Sequence, residues 1–499
     1  MSPTLILIII ACYFLSLILI GYISSRKADE SSYYIGNKKS IWYLVAFGML
    51  SDSLSGVTYI SVPGAVYHNS LTYFQVVIGY FIGYYIIAWV LLPLYYRMNL
   101  ISIYSYLRSR FGINAQKTGS FYFLISRIFG AAGRLMLAIG VMQLFVFDAL
   151  HIPFYATAAL FILLMLIYTY RGGIKTLVFT DAFQSLFLIA GVVLSIVAIT
   201  SQLDLNFSET IGIVRESSLS KMFEFDAMKS NFWAKHIVGG ALFTVAMTGL
   251  DQNMMRKNLS MKSLGEARKN MVSFSFVLLI VNILFLSLGV LLYEYMTEMQ
   301  ISIPVDEAGK IFTDNVFPTL AMNHFGTFAT IAFIIGLTAA TFSSADSVLA
   351  TLTTSYCIDF LGFDASDAEA NIIHKNTRHK VHIAFSVILL LVIVFLKYTF
   401  SSKSTIDLIL FMATLTYGPL LGLFAAGILT KWKIKDKWIP HICLISPLLS
   451  YLLYKYGSSF LGGYKFGNEL ILVNGLLTFL FLLLLKIKGN RPPESPQNN

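Results

Sequence analysis

TFATIAFIIGLTAATFSSADSVL, residues 327–349, is long enough to cross a bilayer as one helix and keeps its polar residues in register. On a helix Gly336, Ala340, Ser343, Ser344 and Ser347 follow i, i+4, i+7, i+8, i+11 spacing and share one face. That face is small and oxygen-rich. Asp346 lies on its flank, where an ionised carboxylate near the bilayer centre is costly unless a cation, a partner or water compensates it. The pattern predicts a helix visited by something positive. The plain alternative is a close-packing helix whose hydroxyls bond back to their own backbone.

Of the 499 residues 57% are hydrophobic and only 12% charged, about half the charged share of a soluble domain. Apolar runs of about twenty residues recur along nearly the whole chain, which predicts helical spans rather than the short alternating strands of a barrel. The net charge of +10 does not point to nucleic acid, because no basic cluster sits beside a base-stacking pattern. Cys12, Cys357 and Cys443 fall in apolar segments without paired spacing, and read as packing residues. No two histidines form an HxxxH or HExxH pair, which argues against a metal centre.

The first run, 4–23, has no basic residue before it and no small-residue cleavage pattern after it, so it reads as a retained span. Twelve further spans are expected near 41–67, 72–96, 120–147, 154–170, 176–200, 236–255, 272–295, 327–360, 382–396, 406–429, 439–454 and 470–485. With the amino end outside, 25 of the 36 basic residues fall in inner loops, Lys257 among them, and the carboxyl end is cytoplasmic. The reading is one transmembrane domain over 1–488, with polar outer segments at 201–235 and 298–323 and a disordered cytoplasmic tail at 489–499.

The second span is the most disturbed, with SDSLSG at 51–56 and Pro63-Gly64 beyond. Side chains that compete for backbone hydrogen bonds, together with Gly, permit a local unwinding that frees carbonyl oxygens. Oxygen ligands suit the hard cation Na⁺, so these carbonyls and the Ser343 and Ser344 hydroxyls could form a cage; a simple kink is the alternative. Arg127 and Arg134 share a face of the fourth span. Arg134 is placed to pair with Asp52 or Asp346 or to clamp a substrate carboxylate. Asp181 lies about two turns inside the sixth span, near enough to the interface to stay hydrated, as a second cation site or a packing hydrogen bond.

GGIKTLVFTDAFQ at 172–184, TGLDQNMMRKNLSMKS at 248–263, AATFSSADSVLATLTTSYCIDF at 339–360 and YGPLLGLF at 417–424 together resemble the sodium/solute symporter family, in order, across 41–429. The resemblance implies an all-α, LeuT-like membrane fold of about thirteen helices. Its core would be two inverted five-helix repeats, at about 41–200 and 236–429. It implies a main sodium site from the carbonyls of Ser51, Leu54 and Ala340 and the hydroxyls of Ser343 and Ser344, with Asp181 and Ser347 matching a second sodium site found in some members. Asp52, Ser55, Thr58, Arg134, Thr248 and Asp346 are the candidates for substrate contact or ion pairing.

Sugar-carrying relatives place aromatic residues where Met247 and Thr248 stand, which argues against a hexose. LSGVTYISVPGAVY at 54–67 with YYRMNLISIYSYLRSRFG at 95–112 looks like the branch that carries monocarboxylates, iodide and vitamins. The expectation is a multi-pass inner (plasma) membrane symporter that imports a small organic anion with Na⁺. An amino acid such as proline, a sugar, a vitamin or a non-transporting solute sensor are the alternatives. The expected partners are the solute, Na⁺ and lipid, with no nucleic acid and no cofactor beyond the ion. No nucleophile–base pairing suggests an enzyme.

Overall fold

The computed structural model describes residues 3–25, 40–98, 100, 102–169, 174–305, 309–363, 375–399 and 405–487. The side chains of 3, 21–25, 167–169, 174–177, 344–346, 375 and 460 lie outside that description. So do the tail at 489–499 and several of the counted loop cations, such as Lys38 and Arg171.

Helices occupy the expected apolar segments, and the described residues contain three isolated bridges but no strand. They are α1 (Pro3–Ser25), α2a (Trp42–Ser53), α2b (Gly56–Asn69), α3 (Tyr73–Ile86, running through a π turn into Leu92–Met98), α4 (Ile113–Met142), α5 (Phe154–Thr169) and α6 (Ile174–Gln202). After these come α7a (Trp233–Thr244), α7b (Gln252–Leu259), α8 (Leu264–Glu298), α9 (Gly326–Asp359), α10 (Lys375–Thr399), α11 (Thr405–Leu429), α12 (Ile439–Phe460) and α13 (Leu470–Leu484). Seven of the described helical segments are long and apolar enough to cross a membrane, and three more are shorter and apolar. The chain is a multi-pass membrane protein.

With lipid outside, helices gain little from burying apolar surface against one another, so close backbone approach decides the packing. Gly79 and Gly83 of α3 lie against α7a, where a Cβ on Gly79 would run into the Ile237 carbonyl and one on Gly83 would sit 2.6 Å from the Ala241 oxygen. Gly418 and Gly422 of α11 make room in the same way for Asn474 and Thr478 of α13, and Asn474 Nδ2 donates to the Thr414 carbonyl (2.9 Å). Gly336, on the small face of α9, admits the Tyr59 ring of α2b; a Cβ there would lie 2.6 Å from the tyrosine hydroxyl. Tyr59 then packs against Phe285, Phe317 and Phe333 with ring centroids 5.4–5.8 Å apart. The small residues thus hold α2 in the groove of α9.

One expected span is not continuous. Residues 236–255 were expected as a single helix, but the chain leaves helical geometry after a π turn at Val245–Gly249 and restarts at α7b. Asp251 is the reason for the restart, because its carboxylate accepts the Met254 N–H (2.9 Å) and caps the new helix.

Candidate functional site

The break in α2 supplies the first part of the site. Leu54 (φ −92°, ψ 83°) and Ser55 (φ −80°, ψ 177°) are extended, and α2b restarts at Gly56. Among the described residues no backbone N–H reaches the carbonyls of Ser51, Asp52, Ser53 or Leu54. Two of the four have side-chain donors: Ser343 Oγ donates to the Ser51 oxygen (2.7 Å), and Arg134 Nη1 reaches the Asp52 oxygen (3.4 Å). The end of α2a is tied to α6, since the Ser51 hydroxyl donates to the Gly48 and Asp181 carbonyls (2.9 and 3.0 Å) and Ser185 Oγ accepts the Ser51 N–H (3.0 Å). Ser51, Leu54, Ala340 and Ser343 are all buried. Of the five residues expected at the main sodium site, Ser51 and Ser343 are thus in contact, while Leu54 lies in the break and Ala340 one turn before Ser343 on α9; the Ser344 side chain lies outside the described residues.

The charges are arranged differently from the expectation. Lys257 of α7b, counted above with the inner loops, is buried and pairs with the carboxylates of both Asp52 and Asp181, the latter at 2.5 Å. Asp181 is fully buried against this ammonium rather than hydrated at the interface, because α2a and α7b close over that end of α6. Its second oxygen, Oδ1, has no hydrogen-bond partner among the described residues. Ser347 Oγ contacts Asp52 Oδ1 (3.3 Å), not Asp181. Arg127 pairs with Asp251. Arg134, expected to pair with Asp52 or Asp346, reaches only the Asp52 carbonyl and has no carboxylate within 4 Å among the described residues; the Asp346 side chain is not described. Asp52, Asp181 and Asp251 thus stand against Arg127, Arg134 and Lys257, and these six described charges cancel.

Beside the break lies a cavity lined by Asp52, Ser55, Thr58, Arg127, Arg134 and Thr248, and by the rings of Tyr73, Tyr80 and Tyr84. Five of the six candidate contacts, Asp52, Ser55, Thr58, Arg134 and Thr248, therefore line one chamber with the freed Leu54, while the Asp346 side chain lies outside the described residues. A second cavity lies toward the 201–235 loop and is lined by Asn69, Asn231, His236, Asp407 and Asn468 among others. The two have Tyr73, Ile406 and Leu410 in common, and these side chains form the partition. The Tyr73 hydroxyl is held by Tyr80 (3.1 Å).

Lys257, Asp251 and the tyrosines of α3 were not singled out from the sequence. A local signal existed for Asp251 alone, in the Gly249-Leu250-Asp251 step three residues before Met254.

Residues 33–431 match the family model of the sodium:solute symporter family, a match that spans most of the chain. The chain belongs to that family. It is a membrane transporter of the sodium-coupled type and not an enzyme, with Na⁺ as the coupling ion. Along its sequence the symporter is similar to the sodium/sialic acid symporter SiaT of Proteus mirabilis (23% identical over 465 residues, 89% of this chain and 88% of that one). It is also similar to sodium-coupled monocarboxylate transporter 2 of Danio rerio (24% over 413 residues), where it spans 81% of its own length and 64% of the relative's. It covers 56% of a Drosophila melanogaster relative of the sodium-dependent multivitamin type. In fold the symporter resembles a Na⁺-coupled sialic acid symporter solved in a substrate-bound outward-open state (TM-score 0.78, 19% identity, covering 96% of this chain and 97% of that one).

Proposed function

We propose that this symporter takes up a small carboxylate-bearing solute together with Na⁺ across the plasma membrane. Arg134 carries the reading. It is a buried guanidinium at a cavity wall, and its one hydrogen bond among the described residues is long and goes to a carbonyl. A buried cation without a carboxylate is costly, and a solute carboxylate supplies the missing partner through paired N–H donors. The neighbouring acids Asp52 and Asp251 already hold Lys257 and Arg127, so no described acid on that wall is left to receive the ammonium of an amino acid. Two solute classes named among the relatives, sialic acid and monocarboxylates, are carboxylic acids.

Na⁺ would sit at the break, on the carbonyls of Ser51, Leu54 and Ala340 and the hydroxyls of Ser343 and Ser344. It is transported cargo as well as driving ion. The Ser343 hydroxyl donates to the Ser51 carbonyl (2.7 Å), and both oxygens would turn to the cation when it binds. Because the six described charges already sum to zero, a cation at the break and an anion at Arg134 compensate each other, and each should raise the other's affinity by the same factor. The cavity next to the 201–235 loop would be the entrance, and Tyr73, Ile406 and Leu410 the side chains that move aside.

The test is uptake into proteoliposomes under an imposed Na⁺ gradient, with pyruvate, N-acetylneuraminate, proline and glucose as the panel. Accumulation of a carboxylate that needs Na⁺ and not K⁺ is expected. Accumulation of glucose alone would refute the assignment of Arg134, and accumulation of proline alone would refute the exclusion of a solute ammonium from that wall.

A further inference from the structure

Of the two residues that the resemblance puts at a second sodium site, Asp181 is already paired with a cation and Ser347 turns to Asp52 instead. Lys257 Nζ lies against Asp181 Oδ2 (2.5 Å) and pairs with the Asp52 carboxylate as well, while Ser347 Oγ faces the other Asp52 oxygen (3.3 Å). We infer that the Lys257 ammonium is a built-in second cation, so that one Na⁺ rather than two accompanies each solute. The inference rests on the proposed Na⁺-coupled uptake of a carboxylate and concerns its stoichiometry.

Three observations carry it. The ammonium is held from its own backbone: the Lys257 carbonyl accepts Ser260 Oγ (2.7 Å), and the next carbonyl, of Asn258, accepts the Tyr96 hydroxyl (2.9 Å), so α7b is fixed where the amine meets both acids. The acid is also held from behind, because α2a backs closely onto α6, where a Cβ added at Gly48 would come within 3.2 Å of the Asp181 Cβ. The charges leave no place for another cation. One Na⁺ and a monoanion keep these six charges in balance, whereas a second Na⁺ would add a positive charge next to the ammonium that none of the six compensates. In a chain with a neutral residue at 257 the two carboxylates would face each other unpaired, and Na⁺ is the ion at hand to fill the gap.

The experiment counts ²²Na⁺ bound per chain by equilibrium dialysis of the purified protein, alongside the dependence of thermal stability on Na⁺ with K⁺ holding ionic strength constant. The wild type should bind one Na⁺ per chain, with a Hill slope near 1. Lys257→Met should bind two, with the slope rising toward 2, and should be the less stable protein until Na⁺ is added. Adding Asp181→Asn to Lys257→Met should return the count to one, and Lys257→Arg should keep it at one. Two ions on the wild type, which needs no variant to fold, would overturn the inference and leave the symport reading standing. A count of one on a folded Lys257→Met protein would also overturn it. No bound Na⁺ on the wild type would instead overturn the symport reading and this inference with it.

Discussion

Arg127 and Arg134 sit one above the other on α4, both buried, and the structure gives them opposite energetic roles. Arg127 is neutralised by Asp251; replacing it with Gln leaves that carboxylate buried with only the Met254 N–H (2.9 Å) as a partner among the described residues, a loss of about 3–5 kcal/mol by the usual cost of breaking a buried pair. Arg134 contributes one 3.4 Å hydrogen bond, at the weak end of a bond that is worth about 0.5–1.5 kcal/mol at normal length, while its desolvation costs more than that. Arg134→Gln should therefore leave the solute-free protein as stable as the wild type or slightly more so. Its effect should appear with solute, where losing a charged hydrogen bond of about 1.5–3 kcal/mol raises the apparent KM for a carboxylate roughly 10- to 150-fold. The assay is thermal unfolding of both variants without solute, followed by Na⁺-driven uptake of the carboxylate. Equal loss of solute-free stability in the two variants would refute the reasoning, since Arg134 would then be structural.

Ser343→Ala removes a proposed sodium ligand and strands the Ser51 carbonyl, so the Na⁺ concentration for half-maximal uptake should rise roughly tenfold or more, while surface expression stays near normal; unchanged Na⁺ activation would remove Ser343 from the site. In the 201–235 loop, hydrogen bonds from Lys229 (2.8 Å) and Lys221 (2.9 Å) pull the Glu224 carboxyl down to about 2 from an ordinary value of 4.5. A depressed carboxylate contributes stability that is complete above 4.5 and is lost as pH falls toward 2. Hydrogen exchange of the loop should accordingly be slow at pH 7 and faster, relative to intrinsic rates, at pH 3, with Glu224→Gln showing the fast behaviour at both.

The helical segments, the serine face of α9 and the interruption in α2 were legible because each is a local pattern: a run of apolar residues, a helical spacing, a cluster of backbone-competing side chains. What the pattern could not carry was partnership. Asp52 and Lys257 are 205 residues apart, and nothing near Lys257 separates it from the cations that really do sit in loops. Asp181 was taken for a hydrated residue from its depth in α6 alone, a judgement that ignores what α2a and α7b lay over it. Arg134 was legible as a buried cation, but its lack of an acid appears only when the acids nearby are seen to be occupied.

The crossing of α3 and α7a has a mechanical side. Where Gly79 meets the Ile237 carbonyl and Gly240 the Val76 carbonyl, main chain rests on main chain, with no interposed side chains to change rotamer and let one helix slip along the other. The two behave as one welded strut. Any tilt of α7b must then be absorbed at Leu250 and Asp251, just past the weld, where the backbone has already left helical geometry. Lys257 rides on the arm beyond that hinge, tied to α3 by the Tyr96 hydroxyl on the Asn258 carbonyl, so swinging the arm would break that bond and pull the ammonium away from α2a and α6 at once.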